Sequence, residues 1–134
     1  MKIYNNYFGR KALLKIGLRD KKINQLLEIG FDTLDFGSFV SAKAIPQMAD
    51  TADVVTALHS NSTTRLLSII ANLKGAEHAL TFKTISVLGF PFSISETFQL
   101  RNTNATREES LMRIEEITKI CIQKNKKLVV YLSM

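Results

Sequence analysis

The sequence predicts an α/β fold built on a parallel sheet, and three observations carry that expectation. Short apolar runs alternate along the chain with amphipathic stretches. The runs are apolar without strict alternation, the pattern of strands covered on both faces. Polar and special residues gather just past the ends of those runs: Arg19 and Asp20, Asp35 and Ser38, Asn72, then Ser93, Ser95 and Glu96.

Taken in order, residues 12–18 read as a first strand, weak and interrupted. Residues 22–29 put Ile23, Leu26 and Leu27 on one helical face, and Gly30 suits the position after a helix C-terminus. Residues 33–36 form a short second strand, and residues 53–58 a helix with Val54, Val55 and Leu58 apolar. Residues 65–71 are a near-continuous apolar run. Asn72 then caps a helix carrying Leu73, Ala76, Ala79 and Leu80. Residues 84–88 form a fourth strand. Thr106, with Glu109 three residues on, makes a capping box at the head of a long helix whose apolar face holds Leu111, Ile114, Ile117 and Cys121. Lys124, Lys126 and Lys127 cluster around Asn125, where cations favour a helix end. Residues 127–132 form the last strand.

Strand and helix thus repeat four times before a fifth strand, and such units imply right-handed crossovers. An open doubly wound sheet usually carries a Gly-rich phosphate turn after strand one. Gly17-Leu-Arg-Asp20 has the wrong spacing for it. In a (β/α)8 barrel the strand ends share one face, which carries the chemistry. The expectation is an incomplete barrel of about five parallel strands and four helices, a single domain over 1–134 with a divergent segment at 1–11. A full barrel takes about 250 residues. A fragment, a self-associating chain and an irregular open sheet each meet that shortfall, and the open edge makes a homo-oligomer possible.

Composition narrows the classes. The chain has 134 residues, 46% hydrophobic and 22% charged, which excludes a disordered chain. No apolar run is long enough for a membrane span. The first residues, Met-Lys-Ile-Tyr-Asn-Asn, lack a signal-peptide core. The single Cys121 excludes an internal disulfide and fits a reducing, cytoplasmic location. The net charge of +6 could attract polyanions, but no basic stripe is interleaved with aromatics, so nucleic acid is not an expected partner.

Three stretches stand out: Phe36-Gly-Ser-Phe-Val-Ser-Ala-Lys-Ala-Ile-Pro-Gln-Met48, Asn72-Leu-Lys-Gly75, and Gly89-Phe-Pro-Phe-Ser-Ile-Ser-Glu-Thr-Phe-Gln-Leu-Arg-Asn102. The first is poor material for a helix and reads as a strand end opening into a shaped loop. With the upstream Arg19-Asp20 pair, these blocks make the chain similar to the first part of the 3-hydroxy-3-methylglutaryl-CoA lyase family, over roughly residues 13–134. That family has an Arg-Asp pair ending strand one, an acidic residue ahead of a Ser-Phe-Val-Ser-Pro-Lys segment, and a Val-or-Ile-Pro-Gln-Met run. It also has Pro-Asn-Leu-Lys-Gly after strand three and Ser-x-Ser-Glu-x-Phe after strand four.

The resemblance implies a metal-dependent barrel enzyme that cleaves hydroxymethylglutaryl-CoA to acetyl-CoA and acetoacetate. A base takes the tertiary hydroxyl proton, a carbon–carbon bond breaks, and the thioester enolate must be stabilised. It implies a divalent cation, Mg2+ or Mn2+, with Asp20 as its carboxylate ligand. It implies Arg19 as the cation stabilising the enolate oxygen, and Asp35 as a catalytic acidic residue in a position where many relatives have Glu. Ser38, Asn72 and Glu96 are implied near the acyl-CoA substrate. Asp35 is also a clue by itself, since a buried carboxylate needs a partner.

The chain departs from the family pattern in three places. Lys21-Lys22-Ile23 follows Asp20 at once, where relatives have a loop of about a dozen residues. Residues 1–11 match nothing in the family. The family's His-x-His metal ligands, a metal-binding Asn and a Gly-rich loop with a catalytic Cys have no counterpart in these 134 residues. Other reactive residues have plainer readings: His59 and His78 as surface residues, Cys121 as core, and Phe90, Phe92 and Phe98 as packing. Three functions therefore compete: a lyase, a non-catalytic half-barrel that pairs with itself or a complementary chain, and a coenzyme A or polyanion-binding module.

Overall fold

The computed structural model describes residues 3–5, 16–59 and 63–134. Among them are five strands and five α-helices. In chain order these are β1 (Ile3–Asn5), α1 (Ile16–Ile29), β2 (Thr33–Ser38), α2 (Thr51–Ala57), β3 (Arg65–Ile69), α3 (Leu73–Ala79), β4 (Ile85–Ser93), α4 (Glu96–Thr103), α5 (Arg107–Gln123) and β5 (Lys127–Ser133), with one 3-10 turn at Pro46–Met48. The strands make one sheet in the order β1-β2-β3-β4-β5, every neighbouring pair parallel. This order never reverses. A doubly wound sheet must reverse at its switch point, so the winding is that of a barrel.

The strand at the β1 position differs from expectation. Residues 16–18 open α1, and residues 12–15 of the expected strand lie outside the described residues. Ile3–Asn5 pairs with Thr33–Asp35 instead, inside the segment expected to be divergent. The physical reason is periodicity. Ile16, Ile23 and Leu27 repeat at seven and four residues, which a helix places on one face and a strand would scatter. Ile23, Leu26 and Leu27 are buried, and Gly30 ends α1 at φ +79°, a conformation glycine adopts without a Cβ penalty.

Most other elements form as expected, with later ends. β2 runs on through Ser38, and β4 extends to Ser93 because β5 pairs with it from Val87 to Ser93. Asn72 caps α3, its side chain accepting from the Gly75 N–H at 2.8 Å. Thr106 and Glu109 form the reciprocal capping box of α5. Its other end closes with Asn125 at φ 53° and a bond from the Lys126 N–H to the Cys121 carbonyl at 2.8 Å.

α4 is a helix beyond the four expected. Its caps are legible, Ser95 accepting from the Phe98 N–H and Asn104 in the left-handed conformation. Its apolar periodicity is not, since only Gln99 and Thr103 are buried. Leu111, expected on the buried face of α5, is 55% exposed, while its neighbour Ser110 is fully buried. The first turn of α5 packs through Ser110 against α4, whose Gln99 donates to it at 2.8 Å.

The core lies between sheet and helices. Leu34, Phe36, Leu66, Ile85, Leu88 and Phe90 from the strands meet Ile23, Leu27, Val54, Ala76, Ile117 and Cys121 from the helices. Burial pushes the Cys121 thiol pKa up, so it is an inert core residue. Strand alternation sends the residues between to the other face. There Asp35 is in register with Leu67, Leu67 with Val87, and all three are fully buried. No described helix is long and apolar enough to cross a membrane.

Replacing Thr106 with Ala removes the cap of the longest helix. The expected loss is about 0.5–2 kcal/mol in urea unfolding, with an unchanged m value.

Candidate functional site at the C-terminal edge of the sheet

The C-terminal ends of the parallel strands gather three of the motif stretches at one edge. The chain leaves β2 with the Phe39 N–H donating to the Ile69 carbonyl at 2.8 Å. Ser38 is buried, its Oγ donating to the same carbonyl at 3.3 Å and its N–H to Thr51 Oγ1 at 3.3 Å. Thr51 donates in turn to the Met48 carbonyl at 2.7 Å, which folds the Pro46–Met48 turn back under the loop. The loop between is therefore shaped by hydroxyls at both ends, as its composition indicated.

The second stretch docks on the first. Gly75, in the first turn of α3, faces the Phe39 carbonyl oxygen so closely that any Cβ would collide with it. The Phe39 ring stacks edge-on against His78, centroids 4.9 Å apart, and against Phe82 at 5.6 Å. Between loop and helix lies an open cavity of about 350 Å³, lined by Phe39, Val40, Ser41, Asn72, Lys74 and His78. Asn72 lines this cavity, whereas Ser38 lines a separate, smaller one that shares Phe39, Val40 and His78 with it. Asn72 is exposed but committed as a cap.

The third stretch is held by a polar latch. Gln99, 1% exposed, accepts from the Ser93 N–H at 2.6 Å and donates to Thr103 Oγ1 at 3.0 Å and Ser110 Oγ at 2.8 Å. Gln99 was not singled out in the sequence. It lies inside α4, whose sequence has no apolar stripe to mark its buried side. Glu96 is exposed and takes Arg107 Nε at 2.6 Å, while Arg107 Nη1 donates to the Ile94 carbonyl at 3.2 Å. Its bond with Arg107 lowers the Glu96 carboxyl pKa below the usual value, so the carboxylate stays ionised and poorly suited to hold a proton. Arg113 ties this corner back to the second stretch, donating to the carbonyls of Ala71 and Thr103, each at 3.2 Å.

The remaining expected site residues sit elsewhere. Asp35 is buried in the middle of β2 on the face away from the helices, below the rim. Arg19 and Asp20 are not at a strand end; they lie near the start of α1. α1 leads down to the start of β2, so its own start stands toward the C-terminal edge of the sheet. Asp20 Oδ1 is buried with no hydrogen-bond partner among the described residues. No three His, Cys, Asp or Glu side chains converge among the described residues. A hard divalent cation takes about six oxygen ligands. One carboxylate does not make that set, so the described residues do not fit a metal centre.

Gly75→Ala is expected to cost about 1–3 kcal/mol, because the Phe39 carbonyl is backbone and cannot swing aside. Chemical unfolding measures the loss, and an amide spectrum should show the shifts centred on residues 38–41 and 72–78.

No family model matches the chain. Known proteins do. The cytoplasmic 3-hydroxy-3-methylglutaryl-CoA lyase of Rattus norvegicus is 32% identical over 109 residues, 81% of this chain and 32% of the relative. The mitochondrial hydroxymethylglutaryl-CoA lyase of Arabidopsis thaliana is 36% identical over 105 residues, 78% of this chain and 22% of the relative. The solved HMG-CoA lyase of Acinetobacter baumannii, in complex with coenzyme A and 3-methylmalate, superposes with a TM-score of 0.83 at 30% identity. That match covers 89% of this chain and 38% of the solved one. The chain spans 22–38% of the length of these lyases. Sequence and fold together make it a homologue of the hydroxymethylglutaryl-CoA lyases, with the winding of a partial (β/α) barrel.

Proposed function

We propose that the C-terminal rim binds an acyl-CoA thioester, and that the chain contributes one side of a hydroxymethylglutaryl-CoA lyase-type site. The observation that carries this reading is the cavity between the Phe39 loop and the start of α3. It has aromatic walls, the Ser41 hydroxyl and the Lys74 cation at its lip. Aromatic and cationic groups in one groove suit a coenzyme with a base at one end and phosphates along its length. The solved relative holds coenzyme A.

In the reaction of such lyases the tertiary hydroxyl loses its proton and the carbon–carbon bond breaks. Its electron pair passes into the thioester enolate, which takes up a proton. Asp35 would face the reacting end of the substrate from the buried side of the sheet. Arg19 would supply positive charge for the enolate oxygen. A divalent cation, Mg2+ or Mn2+, supplies polarisation of the hydroxyl in this chemistry, and Asp20 would offer it one carboxylate. The described residues do not complete its shell. Ser38, Asn72 and Glu96 act in this reading as posts that hold the rim, since each already bonds to protein. The setting proposed is cytoplasmic, as for the rat relative.

Isothermal titration with coenzyme A tests the reading. Binding is expected to weaken about tenfold in Lys74→Glu, and to fall as salt rises. An unmodified chain that takes up no coenzyme A, or a Lys74→Glu variant that binds equally well, would overturn it.

A second reading concerns assembly. β5 pairs with β4 on one side, and its other edge carries no strand among the described residues. Beside that edge Leu132 is 74% and Ile122 72% exposed. An unpaired apolar strand edge is a template for another chain. We propose that a second copy covers it. Sedimentation should then show mass rising above 15.1 kDa with concentration. Leu132→Lys should return the chain to monomer, and a strictly monomeric parent chain at millimolar concentration rules the pairing out.

A further inference from the structure

The outer edge of β5 favours one way of pairing over the others. We propose that two copies join through it antiparallel, about a two-fold axis at Val130, with β5 on β5 and α5 packed on α5 of the other chain. The proposal rests on the reading that a second copy covers this edge, and it fixes how that copy sits. The Ile94 N–H donates to the Ser133 carbonyl, so Ser133 turns its backbone groups toward β4. Backbone direction alternates along a strand, so the N–H and C=O groups of Leu128, Val130 and Leu132 point outward. Val130 is the middle residue of Lys127–Ser133. Antiparallel pairing about it sets Leu132 opposite Leu128 of the other copy, outward groups against outward groups.

The helices fit the same axis. α5 lies over both β4 and β5. Strands about 4.8 Å apart then put the two α5 axes about 10 Å apart, close to the separation of packed helices. Arg113 reaches the Ala71 carbonyl from one side of α5. Leu111, Thr118 and Ile122, at spacings of seven and four, share the opposite flank. Leu111 is 55% and Ile122 72% exposed, and Leu111 also lines an open hollow with Phe92 and Ile94. α5 runs against the strands, so Leu111 stands at the C-terminal edge of the sheet and Ile122 at the other. The midpoint of these two lies about 10 Å from the end of α5, and Val130 about 10 Å from the start of β5. The Lys126 N–H to Cys121 carbonyl bond ties that helix end to that strand start, so one axis serves both layers. It brings Ile122 and Leu128 of one copy to Leu111 and Leu132 of the other, twice over.

Charge selects the same partner. The first turn of α5 carries the exposed Glu108, and its last turn is followed by the exposed Lys124. Antiparallel helices bring Glu108 of one copy to the level of Lys124 of the other, and their dipoles oppose. Each end of the apolar seam is then closed by a pair of opposite sign. Head-to-tail pairing of β5 with β1 of a second copy offers no such match, and it holds the two Val130 residues far apart.

The experiment is disulfide trapping of the full chain under oxidised glutathione, read on a non-reducing gel beside sedimentation. Val130→Cys should cross-link to twice the 15.1 kDa chain mass, because facing residues of a hydrogen-bonded antiparallel pair have Cα atoms about 5.5 Å apart, within disulfide reach. Ser133→Cys, about 20 Å from its copy in this arrangement, should not. Ile122→Glu, an exposed substitution, should weaken the dimer more than about tenfold. Glu108→Lys and Lys124→Glu should each weaken it several-fold, and an equimolar mixture of the two should recover it, since every facing pair is again of opposite sign. A dimer that Val130→Cys fails to trap, equal trapping by Ser133→Cys, an Ile122→Glu chain that dimerises unchanged, or a mixture no tighter than its components would each overturn this orientation while self-association stands. A strictly monomeric parent chain overturns both.

Discussion

Three backbone hydrogen bonds carry the parallel ladder past the ends of the strands: Phe39 N–H to Ile69 O at 2.8 Å, Ile70 N–H to Gly89 O at 2.9 Å, and Ile94 N–H to Ser133 O at 3.1 Å. In each, the segment leaving one strand is tied to the next strand along. A parallel sheet runs all its strands one way, so these ties fall at one edge. The loops that carry the motif residues therefore arrive side by side, although tens of residues separate them in the chain. Everything proposed for the rim depends on that alignment.

Close approach then does what hydrogen bonding alone cannot. The missing Cβ of Gly75 lets α3 come down onto the Phe39 carbonyl, and the Phe39 ring turns toward His78 and Phe82. On the next loop the task falls to side chains. Gln99 satisfies the Ser93 amide and two hydroxyls at once, in a buried setting where each unpaired group would cost about 1–3 kcal/mol. The exposed Glu96–Arg107 pair adds direction more than stability, since solvent-exposed ion pairs contribute little. Arg113 joins the two loops through backbone carbonyls.

The sheet is asymmetric in its needs. Helices cover one face with a continuous apolar core. On the other face Asp35 is buried among Leu67 and Val87, and Gly89 leaves room where a Cβ would come within 2.8 Å of Ile69 and of the Tyr131 ring. In a (β/α) barrel the face away from the helices is the interior. The rim loops and the buried Asp35 carboxylate thus belong to one sheet.

Much of this was legible in the sequence because it rests on local rules. The Asn72 cap, the Thr106–Glu109 box, the end of α1 at Gly30 and the burial of Ile23, Leu26 and Leu27 each follow from residues within a turn or two of one another. The winding followed from alternating elements, and the ordered motif blocks pointed to the lyases. Where long-range packing competes, the local reading failed. Residues 16–18 are apolar enough for a strand, yet they continue the repeat of Ile23 and Leu27 and lie in a helix, which takes Arg19 and Asp20 off the strand end. α4 has caps but no apolar stripe, so only its latch to Ser110 reveals it. The partnership of Phe39 with Gly75 and the commitment of Glu96 to Arg107 join residues of different elements. Most of the elements and the lineage were readable from neighbouring residues, where caps, periodicity and motifs are written, while β1 and α4 were not. Only the tertiary structure decided which polar groups meet, because a side chain's partners are set by the packing of segments that share no local signal.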